Sequence, residues 1–144
     1  MIKVVIIEDE PDSLLQLKRY LISGLRGVHI QGETNNIETG ISLINQLRPE
    51  LVFLDIELLD GTAFDLLEKI GPVHFEIIFV TAHNEYILKA LRFSAVDYLL
   101  KPVDPDELQQ ALNKAEERIL NKEVNNRLNN LLYNIKNKNN LTRL

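Results

Sequence analysis

Leu51–Val52–Phe53–Leu54–Asp55 is the stretch that decides the fold. Four apolar residues in a row end abruptly in a carboxylate. A run this short and this uniformly apolar suits a strand buried on both faces, as in a parallel sheet covered by helices on either side. In such sheets ligands bind beyond the carboxyl ends of the strands. The stretch therefore predicts that Asp55 is delivered from a dry core to the edge where binding takes place.

Toward the amino terminus, Ile2–Ile7 reads as a second buried strand, and Pro11 is placed to open a helix. Leu14, Leu17 and Leu21 follow at helical spacing, ending near Gly24 and Gly27. A weaker strand is expected over 28–33. Asn35 or Asn36 can then cap a helix that carries Ile41, Ile44 and Leu47 and is closed by Pro49. Toward the carboxyl terminus, the turn at Asp60–Gly61 leads into a short helix bearing Phe64, Leu67 and Ile70. A strand is expected over 76–80, then a helix capped by Asn84 with Ile87, Leu88 and Leu91, then a short strand over 96–100. The last helix has the clearest start. Asp104 can cap it, Pro105 fits its first position, and Glu107 would complete a capping box. Five alternations of strand and helix predict a doubly wound α/β sandwich of about 125 residues around a five-stranded parallel sheet, with right-handed crossovers.

A chain of 144 residues, 45% hydrophobic, suits one domain with a sizeable core. It has no cysteine, which excludes disulfides and thiolate metal sites. Met1–Ile7 reaches Glu8–Asp9–Glu10 too soon for a signal peptide, and no run approaches the roughly 18 apolar residues of a membrane span. A cytoplasmic protein that does not engage membranes is the expectation. Charge is uneven, with a balance of −9 over residues 1–120 and +4 over 121–144. The acidic body would repel a phosphate backbone, so no nucleic acid is expected to bind it. Beyond Leu120, Val124, Leu128, Leu131 and Ile135 keep helical spacing, while nine asparagines between Asn121 and Asn140 lower helicity. Residues 121–144 are thus expected to be a helical extension fraying into a linker. Its apolar stripe would pair with a second copy or with something downstream, or else the segment is a solvated tail.

Four strands are expected to discharge polar groups at one edge: Glu8 and Asp9 after the first, Asp55 after the third, Thr81 after the fourth, and Lys101 with Pro102 after the fifth. Three convergent carboxylates repel one another and raise their own pKa values. A hard divalent cation with oxygen ligands resolves that conflict, and room for water suits Mg²⁺. Lys101 adds a point charge and Thr81 a hydroxyl, both suited to phosphoryl oxygens. Phosphoryl transfer fits this set, because positioning and charge neutralisation are most of what the protein must supply. Asp55 would be the nucleophile, forming an aspartyl phosphate.

The segments IIEDEP (6–11), LVFLDIELLDG (51–61), FVTA (79–82) and VDYLLKPVDPDEL (96–108) together resemble the receiver domain of bacterial two-component response regulators. The phrases TAHNEY (81–86) and AVDYLLKPVDPDEL (95–108) are most similar to receivers of the LytTR type, which precede a DNA-binding domain. The resemblance covers roughly residues 1–120 and implies a flavodoxin-like sheet in the order 2-1-3-4-5. It implies Asp55 as phosphoacceptor for a sensor histidine kinase. It places Asp9 and Asp55 on Mg²⁺ directly, Glu8 through water and Glu57 through its backbone carbonyl. Thr81 and Tyr98 match the switch pair, Lys101 the lysine of the site, and the Lys101–Pro102 bond one that is usually cis. A homodimer through helix four, strand five and the last helix is a further implication. Two departures stand out: Leu59 occupies the place where receivers commonly carry proline, so the loop after Asp55 is expected to be looser, and His83 lies at a variable position that could tune phosphate lifetime.

Three functions compete on these residues. The first is a phosphorylation-controlled switch, either governing a DNA-binding output domain absent from these residues or acting as a stand-alone receiver through protein contacts. The second is a haloacid-dehalogenase-like phosphatase, which would want an aspartate where Glu57 stands, on the first strand rather than the third. The third is a non-phosphorylated interaction domain with the same fold, against which the full acidic set argues. Tyr98 as simple packing, and Glu8–Asp9–Glu10 as a solvated helix start, are the plain alternatives at those positions. His29 and His74 read as structural or exposed.

Overall fold

In a computed structural model, which describes residues 1–24 and 27–142, the sheet strands are β1 (Ile2–Ile7), β2 (Val28–Thr34), β3 (Leu51–Leu54), β4 (Glu76–Thr81) and β5 (Asp97–Leu100). The helices are α1 (Pro11–Ser23), α2 (Ile37–Leu47), α3 (Ala63–Ile70), α4 (Ile87–Leu91) and α5 (Pro105–Thr142). All neighbouring strands of the sheet run parallel, in the order β2-β1-β3-β4-β5. That is the expected doubly wound order.

Strand alternation builds two cores, because successive side chains of a strand point to opposite faces. Val4, Ile6, Leu51, Phe53, Ile78 and Val80 pack with Leu17 and Leu21 of α1 and Leu108, Leu112 and Ala115 of α5. Val5, Ile7, Val52, Leu54, Ile77 and Phe79 pack with Ile37 and Ile44 of α2, Phe64 and Leu67 of α3, and Ala90 of α4. All four residues of β3 are buried, as its uninterrupted apolar run predicts.

Local signals behave unevenly. Asn36, rather than Asn35, caps α2 by accepting from the Thr39 amide at 2.9 Å. Helix α2 ends with Arg48 in the left-handed region (φ 48°) just ahead of Pro49. Asn84 does not cap α4: that helix is a five-residue turn starting after Tyr86, without a side-chain cap. Asp104 does cap α5, through the Asp106 amide at 2.8 Å, but among the described residues Glu107 makes no reciprocal bond. The capping box is instead at α3, where Thr62 and Asp65 satisfy each other's amides at 3.2 and 2.9 Å. The expected fraying is also absent as far as Thr142, since α5 continues unbroken over 38 residues. No helix among the described residues is long and apolar enough to cross a membrane.

Candidate phosphoryl-transfer site

The sheet delivers its polar strand ends to one edge. Asp55 follows β3 and is locked in by two backbone bonds: its amide donates to the Ile7 carbonyl at 2.9 Å, and its Oδ1 accepts from the Ile56 amide at 2.7 Å. Glu8, at the end of β1, is tied to β2 by its amide bond to the Thr34 carbonyl at 2.9 Å. Glu8 and Asp55 are only 5% and 6% exposed, and Thr81, the last residue of β4, is fully buried. Lys101 follows β5, with its amide on the Thr81 carbonyl at 2.9 Å and its peptide bond to Pro102 cis.

Glu8, Asp55 and Lys101, with Asp9 and Glu10, form one charged cluster. The Lys101 ammonium lies 2.9 Å from Asp55 Oδ2, touches Glu8 Oε1, and is 3.8 Å from Glu10. Oxygens of Glu8, Asp9 and Asp55 lie within 4.8 Å of one another. Burial, then proximity to Asp55, pushes the Glu8 carboxyl up to about 8. Burial and the Asp55 charge also raise Asp9. Burial acts upward on Asp55 too, but hydrogen bonds from Glu8 and Lys101 outweigh it and hold Asp55 below the usual carboxylate range, with help from the Thr81 hydroxyl. Lys101 mirrors this: desolvation opposes its charge, and bonds to Glu8 and Asp55 prevail, raising it. Of the two carboxyls, Glu8 is therefore the one whose surroundings favour a proton and Asp55 the one whose surroundings favour the charge.

The donor set fits a divalent cation. Both carboxyl oxygens of Glu8 are buried without a hydrogen bond of regular geometry, close only to Lys101 and the neighbouring acids, a condition that a cation or its water would relieve. All three side chains offer oxygen, the ligand preferred by Mg²⁺. The Glu57 carboxylate does not join them. It is turned to His83 Nε2 at 3.0 Å and to the Tyr86 hydroxyl at 3.3 Å.

The remaining expected residues form a second layer. The Thr81 hydroxyl oxygen accepts from the His83 amide at 3.3 Å. The Tyr98 hydroxyl donates to the His83 carbonyl, and its ring packs on Phe79 with centroids 6.0 Å apart. Burial, with Glu85 nearby, pushes the Tyr98 phenol up to about 12. His83 bridges Glu57 and Glu85, the latter at 3.3 Å from Nδ1. Glu85 and Tyr86 were not singled out from the sequence for this layer; they come from a loop, where no periodicity announces which way a side chain turns.

The loop after Asp55 is not loose. Glu57–Leu58 pairs antiparallel with Gly61–Thr62 in a small ribbon, leaving Leu59 exposed at its tip. Asp60 accepts from the Ile37 and Glu38 amides at 2.7 and 3.3 Å, anchoring the ribbon to the first turn of α2. These bonds, rather than a proline at position 59, fix the loop.

Comparison with known proteins places this geometry in context. Residues 4–113 match the family described as response regulator receiver domain. The chain is 38% identical over 123 residues to the sensory transduction protein LytR of Staphylococcus haemolyticus, covering 83% of this chain and 47% of that protein. It is 38% identical over 113 residues to the transcriptional regulatory protein BtsR of Escherichia coli K12, covering 78% of this chain and 47% of the other. The chain thus spans about half the length of these curated relatives. Among solved structures, the response regulatory domain of mrkE from Klebsiella pneumoniae superposes with a TM-score of 0.76 at 25% identity, covering 83% of this chain and 98% of that one. A LuxR-family DNA-binding response regulator from Staphylococcus aureus gives 0.69 at 28% identity, covering 80% and 98%.

Proposed function

Because this chain belongs to the response regulator receiver family, we propose that Asp55 takes a phosphoryl group from the phosphohistidine of a sensor kinase. The observation that carries the reading is the Asp55 carboxyl itself: buried, held below the usual carboxylate range, and gripped by the Lys101 ammonium at 2.9 Å and the Ile56 amide at 2.7 Å beside Glu8 and Asp9. Glu8, Asp9 and Asp55, with the Glu57 backbone carbonyl, would hold Mg²⁺, which supplies neutralisation of phosphoryl charge. An Asp55 oxygen forms the bond to phosphorus as the P–N bond of the donor breaks. The electron pair leaves with the imidazole, which keeps or takes up a proton. Lys101 then exchanges its carboxylate contact for a phosphoryl oxygen, and the Thr81 hydroxyl donates to another.

The readout follows from the second layer. A Thr81 hydroxyl engaged with phosphate gives up the His83 amide, and the Tyr98 ring moves into the space released. The face of α4, β5 and α5 is remodelled as a result, which alters contacts with a partner or a second copy. In the whole protein this change would control a DNA-binding output domain, a reading supported by the names of the transcriptional regulatory protein BtsR and of the DNA-binding response regulator from Staphylococcus aureus. Residues 1–120 would form the receiver unit and 121–144 the connection to that output.

The test is phosphorylation by acetyl phosphate with Mg²⁺. The native chain should incorporate about one phosphoryl group, and Asp55→Asn should incorporate none. Undiminished labelling of Asp55→Asn would remove the reading.

A further inference from the structure

From the carboxyl-terminal half of α5 we infer that two copies of this chain pair through a parallel, in-register coiled coil whose seam runs from Asn121 to Ile135. The helix first covers its own domain. Leu108, Leu112 and Ala115 are buried in the core, and Ile119 packs against it at the edge. At about 100° per residue, the continuation of that face passes through Lys122, Glu123 and Asn126. These residues do line the cleft where α5 leaves the body, and the Lys122 ammonium donates to the His74 carbonyl at 3.0 Å. The apolar stripe of Leu120, Val124, Leu128, Leu131 and Ile135 lies elsewhere, about 100° to 180° around the helix from Ile119 by the same rotation. The domain cannot cover it. These five side chains are 48% to 56% exposed.

The spacing identifies the occupant. Val124, Leu128, Leu131 and Ile135 are separated by four, three and four residues, the alternation of d and a positions in a heptad repeat. In that register Asn121 falls at an a position. A single asparagine there meets its own counterpart across a two-fold axis, and so selects a parallel, two-stranded, in-register pair. The flanking e and g positions offer no obstacle: Leu120 and Leu132 extend the apolar seam, Asn125 and Asn134 are neutral, and Arg127 is the only charge. In a parallel pair Arg127 lies across from Leu132 of the second copy, where its aliphatic stem can rest. The seam is complementary to itself, which favours a second copy over an unrelated partner. Composition argues the same way. An isolated helix so rich in asparagine is marginal in water, and burial of the stripe supplies the missing stability.

The absence of cysteine makes the test direct. Single variants Asn121→Cys, Leu128→Cys and Asn129→Cys of the full chain are oxidised with diamide, and sedimentation velocity of the native chain is followed over a range of concentrations. The seam predicts a concentration-dependent dimer, covalent dimers from Asn121→Cys and Leu128→Cys, and little from Asn129→Cys on the outer side. Leu128→Glu with Leu131→Glu should abolish association while leaving uptake of phosphate from acetyl phosphate unchanged. A native chain that stays monomeric at all concentrations overturns the inference, as do cross-linking of Asn129→Cys as fast as Leu128→Cys and failure of Asn121→Cys alone to link. Neither the sedimentation nor the cross-linking readout depends on Asp55 accepting phosphate.

Discussion

At the scale of single residues, burial and the neighbouring Asp55 raise the Glu8 carboxyl to about 8, so a divalent cation bound beside it would displace a proton. Glu8 binds that proton up to about pH 8, so at pH 7 the binding of Mg²⁺ should release close to one proton. Calorimetry in two buffers of different ionisation enthalpy measures it, and Glu8→Gln should abolish most of the release. The same shift governs stability. A carboxyl raised from 4.5 to about 8 favours the folded state most below its unfolded value, and that contribution is lost as pH rises from about 4.5 through 8. Thermal midpoints of the metal-free chain should carry a falling component in this window that is missing in Glu8→Gln and opposed by added Mg²⁺. Glu8, Asp9, Asp55, Thr81 and Lys101 were legible in the sequence because each follows or ends an apolar run, and a parallel sheet sends all such ends to one side. The proton's preference for Glu8 over Asp55 was not legible. Lys101 Nζ contacts both carboxyls, so the difference rests on the Ile56 amide and the Thr81 hydroxyl, which serve Asp55 alone, a matter of ångströms rather than order along the chain.

At the scale of elements, strong periodicity was read well and short connections poorly. Strands β1, β3 and β4 and helices α1 and α2 follow from apolar spacing. Helix α4 is only one turn and a half, too short for spacing to mark its start, and Asn84 offered a cap that the chain does not use. The α3 box was hidden because aspartate replaces the usual glutamate at its third position. Thr62→Ala should lower stability by about 1 kcal/mol in urea unfolding, the ordinary value of such a cap. The ribbon after Asp55 has a different consequence. Asp60→Ala should slow phosphorylation by acetyl phosphate, because it frees the segment carrying Asp55 and Glu57 from α2, while the circular dichroism spectrum stays native. An unchanged rate would show that the Glu57–Leu58 pairing holds the loop without Asp60.

At the scale of the whole molecule, one sheet separates two cores, and β3 feeds both. Phe53→Ala removes a fully buried ring from the α1–α5 side and should cost about 3–5 kcal/mol, measured by denaturant unfolding. Removal of residues beyond Leu120 discards no core residue, so the shortened chain should keep its fold and its phosphorylation rate. Helix α5 starts three residues after cis Pro102, beside the charged cluster, and runs back past the opposite edge of the sheet. The Lys122 ammonium ties that rod to the His74 carbonyl where it leaves the body. From there to Thr142 the helix extends about 30 Å. A tilt of about 10° there would swing the far end by roughly 5 Å, so a small rearrangement of the α5 face would arrive at the far end as a displacement the size of a side chain.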